Sequence, residues 1–215
     1  MNIYLNDYCE RLGVAGLAAE PLNAISNIAF IIAAIIAFNA CRKLTFKTHI
    51  DIYALCFAML LIGVGSGAWH LHPTGSTLML DIIPITIFIN LYLVSLLRRK
   101  FAMRWGYIAL AFAVLHRLNY IANTSFDAKT LNGTILYLPT WLMLDALCGY
   151  AAWRKLPFTR SLMMISGIWS LSLLFRTIDF ASCDFLPFGT HFIWHLLNAL
   201  VLYKLLKIVS WLHFE

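Results

Sequence analysis

The stretch IDIYALCFAMLLIGVGSGAWH, residues 50–70, is almost entirely apolar and ends in a serine, a tryptophan and a histidine. A helix that crosses a bilayer needs roughly 20 such residues. Comparable stretches, each closed by a short polar or charged loop, occupy residues 21–41, 76–97, 103–121, 134–153, 160–178 and 190–212. The fourth and sixth of the seven are the least sharply bounded. We therefore predict an all-α polytopic membrane protein: a seven-helix transmembrane domain over residues 21–212, preceded by an extracytoplasmic segment, residues 1–20.

Composition excludes the other broad classes of protein. Hydrophobic residues make up 61% of the 215-residue chain and charged residues only 12%. Soluble domains are about one-quarter charged, and disordered chains have low hydrophobicity, so neither class fits. The first 20 residues lack the basic start and apolar run of a signal peptide.

Basic residues are distributed unevenly between the two sides of this seven-span topology. Twelve of the 16 lysines and arginines fall on one side. They are Arg42, Lys43, Lys47, Arg98, Arg99, Lys100, Arg104, Arg154, Lys155, Arg160, Lys204 and Lys207. The positive-inside rule makes that side cytoplasmic, which places the N-terminus outside and the C-terminus inside. The net charge of +6 thus indicates orientation, and we expect no nucleic-acid partner.

This orientation brings five polar residues to a similar depth on the outer side. They are Ser66 and His70 at the end of the second span, Asp81 near the start of the third, and His191 and His195 at the start of the seventh. Ionisable groups inside spans are rare and usually mark functional sites. Because both the serine–histidine pair and the histidine pair are four residues apart, each pair shares one helical face.

The spacing of His191 and His195 is the one with which a single helix binds zinc. His70 would complete a three-histidine site whose fourth position is open to water, the pattern of a catalytic zinc. Zinc lowers the pKa of its bound water to around 7. Asp81 is then placed to act as the general base, and the Ser66 hydroxyl to donate to a developing oxyanion. The alternative is that each histidine is interfacial or bonds a neighbouring carbonyl, the usual role of a single histidine at a span end.

Other charged residues have structural explanations. Asp145, in the middle of the fifth span, is expected to bond a serine or asparagine within the bundle. Arg176 and Asp179 are three residues apart, which favours a local ion pair, with a substrate-facing role as the alternative. Lys204 invites comparison with a retinal-binding lysine, but its place on the basic side near Lys207 favours snorkelling to the interface.

Acidic residues and cysteines mark the outer segments. Carboxylates together with backbone carbonyls are the ligands that calcium prefers, although a solvated acidic N-terminus explains the acids equally well. Cys9 and Cys183 are the two cysteines that fall outside the spans. The outer compartment is often oxidising, so we predict that they form a disulfide. The remaining cysteines, which we expect to be buried free thiols, are Cys41, Cys56 and Cys148.

Three elements in this order resemble the alkaline ceramidase family. The first is DYCE at residues 7–10 with AEPLNAISN at residues 19–27, similar to the family's D-W-C-E and A-E-x-x-N-x-x-S-N. The second is Ser66-x-x-x-His70 with Asp81 eleven residues later, and the third is His191-x-x-x-His195. The family belongs to the CREST group of seven-span membrane hydrolases, with the adiponectin and progestin receptors as relatives.

The resemblance, which runs from residue 7 to residue 198, implies a set of site residues. Zinc would be bound by His70, His191 and His195, with Asp81 and Ser66 around the catalytic water. Calcium would be bound by Asp7, Glu10, Glu20 and the carbonyl of Tyr8, and the Cys9–Cys183 pair would match the family's disulfide. Three departures fall in the calcium segment: Tyr8 replaces a tryptophan, Leu12 replaces an asparagine, and the stretch before Glu20 is one residue shorter than in the family pattern.

Taken together, these patterns predict a zinc-dependent intramembrane amidase that hydrolyses ceramide or a ceramide-like lipid amide to a fatty acid and a sphingoid-type amine. The alternatives are a receptor-like module in which zinc only stabilises the bundle, and a haem-binding electron carrier, which the single depth of the histidines disfavours. Short termini without a recognisable ER-retention ending indicate a bacterial member in the inner membrane. The sequence leaves the oligomeric state open, although Gly63, Gly65 and Gly67 would permit close approach of helices.

Overall fold

The computed structural model describes residues 8–12 and 19–210, and within these residues it contains helices and no strand. The helices are α1 Pro21–Ser26, α2 Ile28–Cys41, α3 Ile50–Leu71, α4 Gly75–Arg99, α5 Trp105–Ser125, α6 Leu138–Trp153, α7 Thr159–Thr177, α8 Asp179–Ser182 and α9 His191–Ser210. Short 3₁₀ helices occupy Cys9–Arg11, Phe46–Thr48 and Thr130–Tyr137. The all-α prediction is therefore confirmed, and each of the seven apolar stretches contains a long helix.

Five of these helical stretches are long and apolar enough to cross a membrane. They are Pro21–Cys41, Ile50–Leu71, Gly75–Arg99, Thr130–Trp153 and His191–Ser210. The two long helices outside this set are α5 and α7, the stretches that the sequence bounds least sharply. Both carry polar residues along their length, such as Asn119 and Asn123 in α5 and Ser166 and Ser170 in α7. These five helices fit an integral membrane protein, while the count of seven spans and the orientation of the termini stay predictions.

Helix α3 lies at the centre of the bundle and packs against α2, α4 and α9. Its two small residues Gly63 and Gly65 permit these contacts on different sides. A Cβ atom at Gly65 would collide with the backbone of Leu80 in α4, and one at Gly63 would lie 2.8 Å from Ile31 in α2. The close approach that the glycines predict is thus found between helices of one chain, and it sets Ser66 beside the first turns of α4.

An ion pair joins α3 and α4 at their other ends. Arg99 donates from Nε to one Asp51 carboxylate oxygen at 2.7 Å and from Nη2 to the other at 2.6 Å. Ser95 donates to the same carboxylate. Because helices rise 1.5 Å per residue, about 29 Å separates Asp51 from His70 along α3. The basic end of the bundle and the histidine end therefore have separate polar clusters.

The fifth predicted span begins differently from the prediction. Residues 130–137 form a 3₁₀ turn, and the α-helix starts only at Leu138. This segment is not one regular helix, because three of its residues, Leu131, Asn132 and Gly133, have positive φ and interrupt it with a kink. Further along α6, Asp145 accepts a hydrogen bond from Ser166 of α7, which confirms the structural role predicted for this half-buried acid.

Candidate metal centre

Three buried histidines converge at one end of the bundle. His70 lies in the last turn of α3, and His191 and His195 occupy the first two turns of α9. Each offers one ring nitrogen such that all three nitrogens lie within 4.8 Å of one another. All three side chains are at most 1% exposed. The convergence predicted from topology alone is therefore what the structure shows.

Hydrogen bonds to Nδ1 determine the tautomers of two of these histidines, His70 and His195. Nδ1 of His70 donates to Glu20 Oε2 at 2.5 Å. Nδ1 of His195 lies 2.7 Å from Ser26 Oγ, and since the Ser26 hydroxyl donates its proton to the Asn23 carbonyl, this oxygen accepts from His195. In both rings Nε2 is left with a lone pair, the state in which histidine binds a metal.

Unpartnered buried atoms support a metal at this place. His195 Nε2 and His191 Nδ1 are buried and have no hydrogen-bond partner. A buried polar group without a partner costs roughly 1–3 kcal/mol, so two such atoms beside each other need an explanation. A cation held by three neutral imidazoles supplies it, and the donor set fits zinc.

Asp81 and Ser66 lie beside the three histidines. Ser66 is buried one turn before His70 on α3, and Asp81 lies in the second turn of α4. Both line the same cavity as the histidines, and Asp81 Oδ1 is buried without a hydrogen-bond partner. The structure thus brings together all five outer-side residues that the sequence singled out.

Two cavities meet at these residues. One has a volume of about 930 Å³, and beyond the histidines its polar wall is formed by Asn90, His116, Asn119, Asn123, Lys129, Asn132 and Arg176. The other is apolar and runs between side chains such as Phe88, Leu96 and Leu205. Ser66 and Asp81 line both cavities. The arrangement suits a molecule with a polar end and an apolar end whose junction lies at the histidines.

Arg176 does not pair with Asp179, and this part of the sequence prediction is wrong. The Arg176 guanidinium lies over two aromatic rings, 4.9 Å from the Trp194 centroid and 5.2 Å from the Tyr137 centroid. Gly133 leaves room for it, since a Cβ there would lie 2.8 Å from Arg176 Nη2. Because Arg176 also lines the large cavity, the geometry agrees with the substrate-facing alternative.

Asp179 instead organises the backbone around the site. Its carboxylate is fully buried and accepts from the amides of Cys9 at 3.1 Å, Thr190 at 2.7 Å and His191 at 2.9 Å. Cys9 is also joined to Cys183 by a disulfide with a Cα–Cα distance of 5.4 Å. The hydrogen bonds of Asp179 connect the N-terminal segment to the start of α9, which carries two of the histidines, and the disulfide connects it to the segment between α8 and α9.

The Ceramidase family profile matches residues 5–215 of the chain. The chain belongs to the Ceramidase family. No curated protein matches its sequence. Family membership supports a ceramide-hydrolysing membrane enzyme, an amide hydrolase with a lipid amide as its substrate. The three buried histidines of this ceramidase-family chain are consistent with a metal-dependent member.

Calcium fits the described residues poorly. Asp7 lies outside them. Glu10 uses its two oxygens to accept from the amides of Leu22 and Asn23 at the start of α1, and partial burial raises the pKa of this carboxyl, which disfavours the charged form. The Tyr8 carbonyl accepts from the amide of Arg11. Both oxygens of Glu20 are also engaged, one by Arg11 and the other by His70 and Asn23.

Sequence reasoning missed several residues that hold the site in place. Asn23 and Ser26 appear in the sequence pattern only as members of a motif, although polar residues in the first two turns of an apolar helix are themselves a signal. Asp179 stands out in the sequence as an acid close to a predicted span. Its hydrogen-bond partners are backbone amides, which every residue type except proline has, so the sequence does not predict them. Arg11 gave no signal, because a single basic residue in an acidic segment is unremarkable.

Proposed function

We propose that this chain is a zinc-dependent intramembrane amidase that hydrolyses ceramide or a ceramide-like lipid amide to a fatty acid and a sphingoid-type amine. One observation carries the proposal. Three buried histidines with metal-binding geometry adjoin a buried, unpartnered carboxylate oxygen of Asp81 where a polar and an apolar cavity meet.

His70, His191 and His195 would hold the zinc ion. When bound there, zinc supplies Lewis-acid chemistry: it polarises a carbonyl oxygen and acidifies water. Glu20 and Ser26 keep the rings of His70 and His195 in the tautomer that this binding needs. Such hydrogen bonds to ligand histidines are typical of metal sites and increase the basicity of the ligand.

Asp81 is the proposed general base and acid. Its carboxylate takes a proton from the attacking water as the new carbon–oxygen bond forms at the amide carbon. It then returns that proton to the nitrogen of the leaving amine as the carbon–nitrogen bond breaks. Ser66 would donate its hydroxyl proton to the oxygen that gains charge at the same carbon.

Each of the two cavities would bind one part of the substrate. The apolar cavity, lined by residues such as Phe88 and Leu96, suits an acyl chain. The larger cavity, with its asparagines and Arg176, suits the polar end of the amine product. Because the disulfide of Cys9 and Cys183 lies beside this end, we further propose that the site faces the oxidising extracytoplasmic side. Placement in a bacterial inner membrane stays a prediction.

The test is metal analysis of the purified protein combined with a lipid-amide hydrolysis screen, with and without a zinc chelator. Asp81→Asn should keep the metal and lose turnover by a factor of about 10²–10⁴, the usual contribution of a general base. Asp145→Asn is the matched control, because Asp145 is also an acid within the bundle but bonds only Ser166.

A fully active Asp81→Asn variant would contradict the role of this residue. Zinc bound at one ion per chain without hydrolysis of any lipid amide or ester would instead favour the receptor-like alternative with a structural metal. Absence of a Soret absorption band would exclude haem.

A further inference from the structure

Arg11 is a fully buried cation in the N-terminal segment. Its side chain is 1% exposed, as is that of Glu20. Nε of Arg11 donates to Glu20 Oε1. A buried charge is costly unless an opposite charge and hydrogen bonds compensate it, so each of these two residues depends on the other.

Arg11 contacts His70 by two routes. Its Nη2 donates to the backbone carbonyl of His70 at 2.9 Å. This carbonyl is among the last four of α3, which have no partner within the helix and readily accept from basic side chains. The second route runs through Glu20, whose Oε2 accepts from Nδ1 of the His70 ring and from Asn23 at 3.0 Å. Arg11 therefore fixes both the backbone and, through Glu20, the ring of this histidine.

Glu20, one of the residues to which the family resemblance assigns a divalent cation, is thus already paired with a positive charge. Glu20 has no oxygen left that is free of a donor, and Glu10 caps the start of α1 with both of its oxygens. A guanidinium next to Glu20 also repels a second cation by simple electrostatics. The chain supplies from its own sequence the charge that calcium would bring.

We propose that Arg11 is a built-in replacement for calcium, a positioning residue that holds Glu20 and, through it, the proposed metal ligand His70. The proposal rests on His70 as a ligand but not on which lipid is hydrolysed. It makes the stability and the activity of this protein independent of calcium.

The first experiment uses the unchanged protein as purified. Thermal unfolding is recorded with calcium, with magnesium and with a chelator selective for calcium. We expect the same midpoint under all three conditions, and no effect of the chelator on turnover. A saturable rise of the midpoint with calcium but not with magnesium would overturn the proposal, and this measurement needs no variant.

The second experiment follows loss of the resident metal from the purified protein into a zinc chelator. Arg11→Gln keeps much of the shape and hydrogen-bonding capacity but removes the charge. Changes to residues that orient a ligand histidine typically cost 10–100-fold in metal affinity, so we expect metal release to be at least about tenfold faster. Arg11→Lys restores the charge beside Glu20 and should recover most of the loss.

Two controls separate positioning from general destabilisation. Arg42→Gln makes the same change at an exposed position after α2. Leu97→Ala creates a cavity at a buried position near the other end of α4, and should lower the unfolding midpoint without faster metal release. Metal release from Arg11→Gln that equals that of Arg42→Gln would overturn the proposal. Failure to hydrolyse any lipid would defeat the proposed function alone, because neither the unfolding midpoint nor the rate of metal release requires turnover.

Discussion

At the scale of single residues, the candidate site is held by hydrogen bonds that reach each of its three histidines from outside that histidine's own helix. Glu20 fixes His70, Ser26 fixes His195, and Asp179 fixes the amide of His191. Each of these residues is buried. A substitution that leaves a buried hydrogen-bond partner unsatisfied lowers the free energy of unfolding, so single substitutions of these residues should markedly lower the stability of the protein.

Asp179→Asn is the sharpest test of this point for stability. Both carboxylate oxygens accept from backbone amides, and an asparagine must turn its NH₂ group toward one of them. We expect a loss of about 2 kcal/mol in the free energy of unfolding, visible as a lower midpoint in thermal unfolding. Asp184→Asn, an exposed acid five residues on, is the control. An unchanged midpoint would show that the buried carboxylate is not needed as a charge.

At the scale of elements, α5 differs from its neighbours in how little of it is buried. Its buried residues are Ile108, Leu115 and Ala122, spaced seven apart, which is one narrow seam along the helix. The cavity wall is formed on the same helix by Leu115, His116, Asn119 and Asn123. Polar residues in a membrane-spanning helix normally face the interior or a water-filled space, so the low hydropathy of α5 follows from its position beside the cavity.

Filling the cavity from α5 should block the substrate. Leu115 lines both cavities, so Leu115→Trp places a large ring where they meet. We expect kcat/KM for a long-chain lipid amide to fall at least tenfold, which corresponds to about 1.4 kcal/mol, with little change in metal content. Leu110→Trp adds the same bulk at a position that is 61% exposed. Equal activity of the two variants would show that the substrate does not use this space.

At the scale of the whole molecule, the sequence predicted the helices and the convergence of five polar residues, whose catalytic and metal-binding roles stay predictions. Both predictions worked for the same reason: in a chain this apolar, each histidine or acid within a span stands out, and the alternation of helices places distant residues at one end. The calcium ligands, three acids and the Tyr8 carbonyl, were what the family resemblance implied. An acidic residue in a sequence does not show which cation neutralises it in the fold. The contacts of Arg11 with Glu20 and His70 identify Arg11 as that cation.

The longest covalent link in the fold is the disulfide of Cys9 and Cys183, which are 174 residues apart. Closing a loop of this length restricts the unfolded chain by up to about 5 kcal/mol in the chain-entropy model. We expect Cys183→Ser or a reductant to lower the unfolding midpoint, and reductant to have no further effect on Cys183→Ser. Cys148→Ser, at a buried free cysteine, keeps the disulfide and should respond to reductant as the unchanged protein does. Peptide mapping that finds both thiols free in unreduced protein would contradict the link.

Helix α1 is only six residues long, yet it stands between two parts of the site. The glutamate just before its first residue holds the histidine of α3, and the serine at its last residue holds the second histidine of α9. The number of residues between Glu20 and Ser26 therefore sets the relative positions of the two side chains that contact His70 and His195. One inserted residue would rotate Ser26 by about 100° around the helix and leave Glu20 where it is. The geometry of the candidate metal centre thus depends on how α1 is rotated about its axis, although none of the three histidines lies on α1.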